Sequence, residues 1–298
     1  MRAFFLASTL PLAVAAQESA AFLKIATSAR AVGMGGANTA APNEAASMTG
    51  NPASLAGLTA QAVGMTHAEL FANTSYDFLG YALPARRGTF AAMTSFLSQA
   101  SLDGRDESGN PTGGFSASDT AVGLSYSAQV LKRLGVGAGV KYVQSAIADA
   151  SARTFAVDLG GLYEFARLGP GTPRFGVSIQ NMGPGLRFMA ERMPLPLTLA
   201  TGFSYSSPAG VTWSIDYRQY PRHRRAELGC GAEYALAQGF ALRAGYSRAM
   251  AQVSGGASLL AGVAGGVGFT RRGYSIDYAI TPFAELGNAQ RLSLGARF

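Results

Sequence analysis

Cysteine is nearly missing from this chain. Cys230 stands alone, which excludes an internal disulfide framework and any cysteine-held metal cluster. Histidine occurs only at His67 and His223, too far apart in sequence for a zinc-ligand spacing. No metal and no cofactor is therefore expected. Lysine is confined to Lys24, Lys132 and Lys141, so the formal charge of +7 rests mainly on arginine. Charged residues make up only 14% of the chain and hydrophobic ones 48%, with a mean hydropathy of +0.14. Yet no stretch supplies the roughly 20 consecutive apolar residues that a membrane-spanning helix needs. An apolar chain without such a run is what transmembrane strands produce, because their apolar residues alternate with polar ones.

The beginning of the chain carries a leader pattern. Arg2 precedes an almost wholly apolar run over 3–14, and the small residues Ala13-Val14-Ala15-Ala16 are followed by Gln17 and Glu18. This order reads as a secretory signal peptide over residues 1–16. Export argues against nucleic acid as the partner of a basic chain. It favours outer-membrane lipid, lipopolysaccharide and pairs within a wall as the uses of the arginines.

Beyond about residue 60, period-2 patterning recurs. In Gln290 to Phe298, one face reads Leu292, Leu294, Ala296 and Phe298, and the other Arg291, Ser293, Gly295 and Arg297. Tyr274, Ile276, Tyr278 and Ile280 alternate with Ser275, Asp277 and Ala279 in the same way. A half-buried soluble sheet also alternates. Here aromatics gather near the ends of the apolar faces, as interfacial girdles do, and the opposite faces are small or charged, as a wet lumen allows. Fourteen strands are predicted, near 62–71, 74–84, 87–97, 118–130, 134–145, 153–165, 173–182, 196–206, 210–220, 224–235, 238–248, 258–270, 273–281 and 288–298. With Phe298 on the periplasmic side, the links there are mostly short. The alternate links are mostly longer, among them a polar loop over 98–117. The expected fold class is all-β: a transmembrane antiparallel barrel over 59–298 in the bacterial outer membrane.

Residues 17–58 have no sustained period. Gly33, Gly35 and Gly36 allow close approach and positive φ. They are not a dinucleotide loop, since no strand precedes them and the G-x-G-x-x-G spacing is absent. Asn51-Pro52 reads as a turn. An irregular segment cannot face lipid, where each unpaired backbone group costs several kcal/mol, so it is predicted as a lumenal plug. Arg30 would then meet an inward carboxylate, the candidates being Asp158, Asp216, Glu227, Glu233 and Asp277.

Phe22-Leu23-Lys24-Ile25, then Ala29-Arg30-Ala31-Val32-Gly33-Met34-Gly35-Gly36-Ala37, then Asn51-Pro52-Ala53, together with the strand count and a terminal Phe, resemble the PorV/PorQ family within the FadL-like outer-membrane proteins. The resemblance implies a hatch over 17–58, with Asn51, Pro52 and Ala53 near the wall. In FadL-type transporters the hatch lies beside an opening through which apolar ligands leave sideways. The chain departs from the transport members in its outer loops, where 98–117 is rich in Asp, Ser and Gly. Leu186, Phe188 and Met189 form the better candidate for a ligand or partner loop, or for a packed lid. Two functions follow as expectations: passive uptake of a small hydrophobic or amphipathic ligand, or docking of secreted cargo as a type 9 secretion accessory. His223, among Arg222, Arg224 and Arg225, suggests contact with lipopolysaccharide rather than a catalytic base, and no enzyme activity is expected.

Overall fold

The computed structural model describes residues 18–41, 44–105, 108, 110–166, 169–188, 191–248, 262–283 and 287–298. The predicted signal peptide over 1–16 lies outside these. The strands are β1 (Ala62–Glu69), β2 (Thr74–Ala85), β3 (Gly88–Arg105), β4 (Pro111–Leu131), β5 (Leu134–Ile147), β6 (Ala150–Glu164), β7 (Thr172–Met182), β8 (Leu186–Phe188), β9 (Glu191–Met193), β10 (Thr198–Ser206), β11 (Val211–Tyr220), β12 (Arg225–Ala235), β13 (Phe240–Ser247), β14 (Val263–Arg271), β15 (Tyr274–Pro282) and β16 (Asn288–Arg297). Fourteen of them close into an antiparallel barrel in sequence order. β7 pairs directly with β10, and β16 closes on β1 through pairs such as Val63 with Ala296. β8 and β9 form a separate small hairpin between β7 and β10.

Closure leaves no unpaired edge, which is the condition for strands to stand in lipid. Side chains alternate as the sequence predicts. Phe155, Leu159, Ile215, Leu242, Val267, Ile276 and Leu294 are exposed on the outer face. Thr154, Asp158, Asp216, Ala264, Ala279 and Ser293 are buried toward the lumen. The turns at 86–87, 132–133 and 272–273 are tight, as expected of the periplasmic side.

The 98–117 segment departs from expectation. It is not a loop over most of its length. β3 runs to Arg105 and β4 starts at Pro111, and they stay paired, with Leu102 opposite Phe115 and register shifts after Gln99 and Gly104. A polar ribbon standing in water keeps its ladder hydrogen bonds without needing an apolar face. Polarity here marks height above the membrane rather than loss of strand.

The described part of the N-terminal segment packs against inward-facing residues of the wall strands. It consists of α1 (Ala29–Gly33) and short 3₁₀ turns at Ala21–Lys24, Ala45–Thr49 and Pro52–Leu55. Gln61 then exchanges backbone hydrogen bonds with Phe298 at the barrel seam, 3.0 and 3.1 Å. The segment comes close because inward wall positions lack side chains. A Cβ on Gly137 would lie 2.5 Å from the Pro52 carbonyl carbon and 2.6 Å from the Ala53 nitrogen. On Gly176 it would strike the Thr39 carbonyl, and on Gly245 the Gly35 nitrogen. Gly265, by contrast, has nothing within 4 Å of an added Cβ.

Substituting Gly176→Val or Gly245→Val is expected to destabilise the barrel by roughly 1–3 kcal/mol through overpacking, whereas Gly265→Val is expected to be near neutral. Heat-dependent gel mobility of the detergent-purified variants measures this. Equal loss temperatures for all three would rule out tight packing at these glycines.

Candidate functional site

The N-terminal segment is held by groups that the alternation of the strands turns inward. Ser28 caps α1, its side chain accepting from the Ala31 N–H at 3.1 Å. The Ala29 N–H donates to the Ser293 hydroxyl on β16 at 2.8 Å. Arg30 then projects toward β12. Its Nε donates to Glu233 Oε2 at 2.7 Å and its Nη2 to Oε1 at 2.8 Å, a two-point contact, while Nη1 reaches Glu44 of the same segment. Glu233 is shared with Arg243 of β13 at 2.6 Å, and Arg243 continues to Asp277 of β15 at 2.5 Å. The result is a chain of alternating charge: Glu44, Arg30, Glu233, Arg243, Asp277. The charge of Glu44 first, and then the bond and charge of Glu233, hold the Arg30 guanidinium well above its ordinary pKa against the cost of burial.

Past α1 the backbone turns through two left-handed glycines, Gly35 at φ 65° and Gly36 at φ 79°. A Cβ on Gly35 would run into the carbonyls of Cys230 and Tyr246, so both conformation and space demand glycine. Gly33 abuts Arg243, Met34 is buried, and the Gly36 carbonyl accepts from Arg218. Asp216, only 1% exposed, then gathers three donors on one oxygen: the N–H groups of Asn38 and Thr39, both at 2.9 Å, and the Thr39 hydroxyl at 2.7 Å.

Asn51 ties the end of the segment to its middle and to the wall. Its amide donates to the Thr39 carbonyl at 2.8 Å and to the Gly161 carbonyl of β6 at 3.0 Å, and its side-chain oxygen accepts from the Ala53 N–H at 3.0 Å. Pro52 and Ala53 press on Gly137 of β5. Ser178 of β7 donates to the Gly50 carbonyl at 2.8 Å, and Gln180 donates to it as well.

The five candidate carboxylates thus have separate neighbours. Glu233 meets Arg30. Asp277 meets Arg243. Asp216 holds the Asn38–Thr39 backbone and pairs with Arg218 at 3.1 Å. Glu227 accepts from the Tyr220 hydroxyl at 2.8 Å. Asp158 pairs with Lys141 at 2.8 Å and accepts from the Asn181 N–H at 2.8 Å, at a β-bulge where β6 and β7 lose register. Glu44, Arg243, Lys141 and Asn181 were not singled out from the sequence. Arg243 could have been, since strand alternation places it on the same face as Gly245.

An apolar cluster lies inside the barrel near the outer connection. Phe22 of the segment packs with Leu186 and Leu195 of the β7–β10 connection and with Tyr76, Phe78, Val143, Ala152 and Ala156 of the wall. Leu186 is 0% exposed and Phe188 partly buried, so both pack into this cluster rather than facing outside, while Met189 lies outside the described residues. Arg291 of β16 lies opposite Ala68, which belongs to the same cluster. It is 7% exposed, its Nε has no hydrogen-bond partner, and among the described residues no carboxylate pairs with it. Beside α1 lies a cavity of about 250 Å³ with mixed lining, including Arg30, Met34, Ala37, Arg174, Ser204 and Ser214. Among the described residues no group of three or more His, Cys, Asp and Glu side chains could hold a metal.

Arg30→Glu would set a third carboxylate between Glu44 and Glu233, and breaking such a buried pair costs about 3–5 kcal/mol. Ion conductance of the variant in planar bilayers is expected to rise above wild type, and Arg30→Glu with Glu233→Arg to fall back toward it. Unchanged conductance in Arg30→Glu would mean that the pair does not hold the segment.

Comparison with known proteins places this geometry. No curated protein matches the sequence. Among solved structures, the toluene transporter TbuX of Ralstonia pickettii is similar at a TM-score of 0.66 and 17% identity, covering 91% of this chain and 98% of that one. The toluene transporter TodX of Pseudomonas putida gives 0.62 and 13%, covering 91% and 96%. A FadL homologue of Pseudomonas aeruginosa gives 0.54 and 11%, covering 91% and 98%. These likenesses establish a FadL-like barrel fold. The model of the family described as Type IX secretion system protein PorV matches residues 13–208. The chain therefore belongs to the PorV family and is an outer-membrane β-barrel.

Proposed function

We propose that this barrel lets small amphipathic or apolar molecules diffuse passively across the outer membrane, that residues 17–58 are a hatch gating the passage, and that Arg30 is its latch. The observation that carries the reading is the division of the lumen. An apolar cluster packs under the outer connection, and the charge chain with its backbone-packed segment lies beyond it. Apolar ligand surface that inserts between those side chains leaves water with a gain of about 25 cal/mol per Å². Onward movement then requires the segment to shift, and its polar contacts can be exchanged for water in the cavity beside Arg30. Arg291 favours an amphiphile with an anionic head, because a buried guanidinium whose Nε has no hydrogen-bond partner gains from an oxyanion.

The family assignment favours a second reading, in which the barrel is a docking component for secreted cargo. That role leaves the lumen closed and needs no movement of the hatch.

A reversible lock separates the two. The Ala45 Cβ lies 3.5 Å from a Cβ built on Gly64 of β1, within disulfide range. In a Cys230→Ser background, Ala45→Cys with Gly64→Cys should bind the hatch to the wall when oxidised. Octanesulfonate, whose permanent charge keeps it from crossing lipid unaided, is expected to enter proteoliposomes through the reduced protein and not the oxidised one. Equal entry in both states would end the hatch reading. Co-purification with a secreted protein, unaffected by the lock, would support docking.

Arg291→Gln is expected to weaken octanesulfonate binding about tenfold, the scale of one charge-assisted hydrogen bond, while leaving neutral octyl glucoside unchanged. Equilibrium binding to the purified protein checks this, and equal weakening of both ligands would remove Arg291 from the ligand path.

A further inference from the structure

On the outer hairpin, Arg187 of β8 and Arg192 of β9 stand directly opposite each other in register, and both are exposed. Like charges facing across a two-stranded ribbon repel and destabilise it. Among the described residues neither arginine has an ion pair. Glu191 alternates to the other face of the ribbon, opposite Phe188. Glu18 is occupied by Lys24 and His223, and Glu227 of β12 by the Tyr220 hydroxyl. The neighbouring β11–β12 connection adds to the same sign. Arg222, Arg224 and Arg225 are exposed there, and Arg222 donates to the Gly183 carbonyl of the β7–β10 connection at 3.5 Å, so the two loops touch.

We infer that the Arg187–Arg192 pair, with the arginines of the adjoining loop, binds phosphoryl groups of lipopolysaccharide at the outer surface. An oxyanion between the two guanidiniums turns their repulsion into two charge-assisted, fork-shaped contacts, a geometry that arginine makes with phosphate and lysine does not. Charge complementarity and position select the occupant. The cluster stands at the outer mouth, and the phosphorylated glycolipid of the outer leaflet is the dense anion beside it. The contact also reaches the hairpin underneath, whose Leu186 packs into the apolar cluster with Phe22.

Native mass spectrometry of the full chain in neutral detergent, titrated with rough lipopolysaccharide, tests the site. Wild type is expected to retain the glycolipid, and Arg187→Gln with Arg192→Gln to bind about tenfold more weakly. Removing the same charge at the opposite end, with Arg86→Gln and Arg87→Gln in the β2–β3 turn, is expected to change nothing. Dephosphorylated lipopolysaccharide is expected to bind wild type as weakly as the intact form binds the double variant, an arm that needs no mutation to fold. Equal affinity of wild type for the two glycolipids, or equal binding by the two double variants, would overturn the site. Stronger competition by polyglutamate than by lipopolysaccharide would overturn it in favour of an acidic protein partner.

Discussion

A chain threaded through a closed barrel must satisfy its backbone from side chains, because the wall strands have already paired their own donors and acceptors with one another. The lumen of this protein is built around that constraint. Ser293 and Asp216 accept N–H groups of the segment, while Ser178, Ser204 and the Asn51 amide donate to its carbonyls. Of these, Ser293, Asp216, Ser178 and Ser204 sit on inward positions of four different strands, and Asn51 belongs to the segment itself. The segment is therefore held from many directions at once, by hydrogen bonds worth individually only about 1 kcal/mol. Their number, rather than any single one, sets the position of the chain.

Glycine makes those bonds reachable. Where Gly137, Gly176 and Gly245 face inward, the segment lies against bare wall backbone, which brings the two within direct hydrogen-bonding range and excludes water between them. Water exclusion has a second effect on the charges. Arg243, against Gly33, and Glu233 are largely withdrawn from water, so their attraction is stronger than at a surface and either charge left alone more costly. Arg30 and Glu44 border the cavity and keep partial access to solvent.

Much of the wall was legible from alternation alone, since a period of two assigns each residue to lipid or lumen once the strand is recognised. Tyr274 to Ile280 and Leu292 to Phe298 are examples. Of the five acids expected to face inward, Asp158 and Asp216 are buried. Which acid meets Arg30 was not legible, because that depends on how far the threaded segment travels around the circumference. Parity carries no information about that path. The 98–117 ribbon was misread because polarity is a sign of a loop only where a strand would otherwise need an apolar side. The role of the wall glycines against the segment depends on a contact between distant stretches that no local pattern encodes.

The segment also joins the two ends of the barrel. Near its start, Ser19 donates to the Met193 and Pro194 carbonyls at 2.9 and 3.1 Å, and Phe22 packs on Leu186, all in the outer connection. Near its end, Gln61 pairs with Phe298 at the seam. Between these lie Thr27, which accepts from Thr66 through its carbonyl, then Arg30, Thr39 and Asn51. A displacement of the outer hairpin must therefore either break the Ser19 and Phe22 contacts or pull on the residues that follow. The apolar cluster makes breaking costly, because it would expose Phe22 and Leu186 together to water. Pulling instead loads α1 and the Arg30–Glu233 contact next in line. An outer hairpin that exposes Arg187 and Arg192 and buries Leu186 is thus mechanically in series with the Arg30–Glu233 contact below it, through one strap of chain.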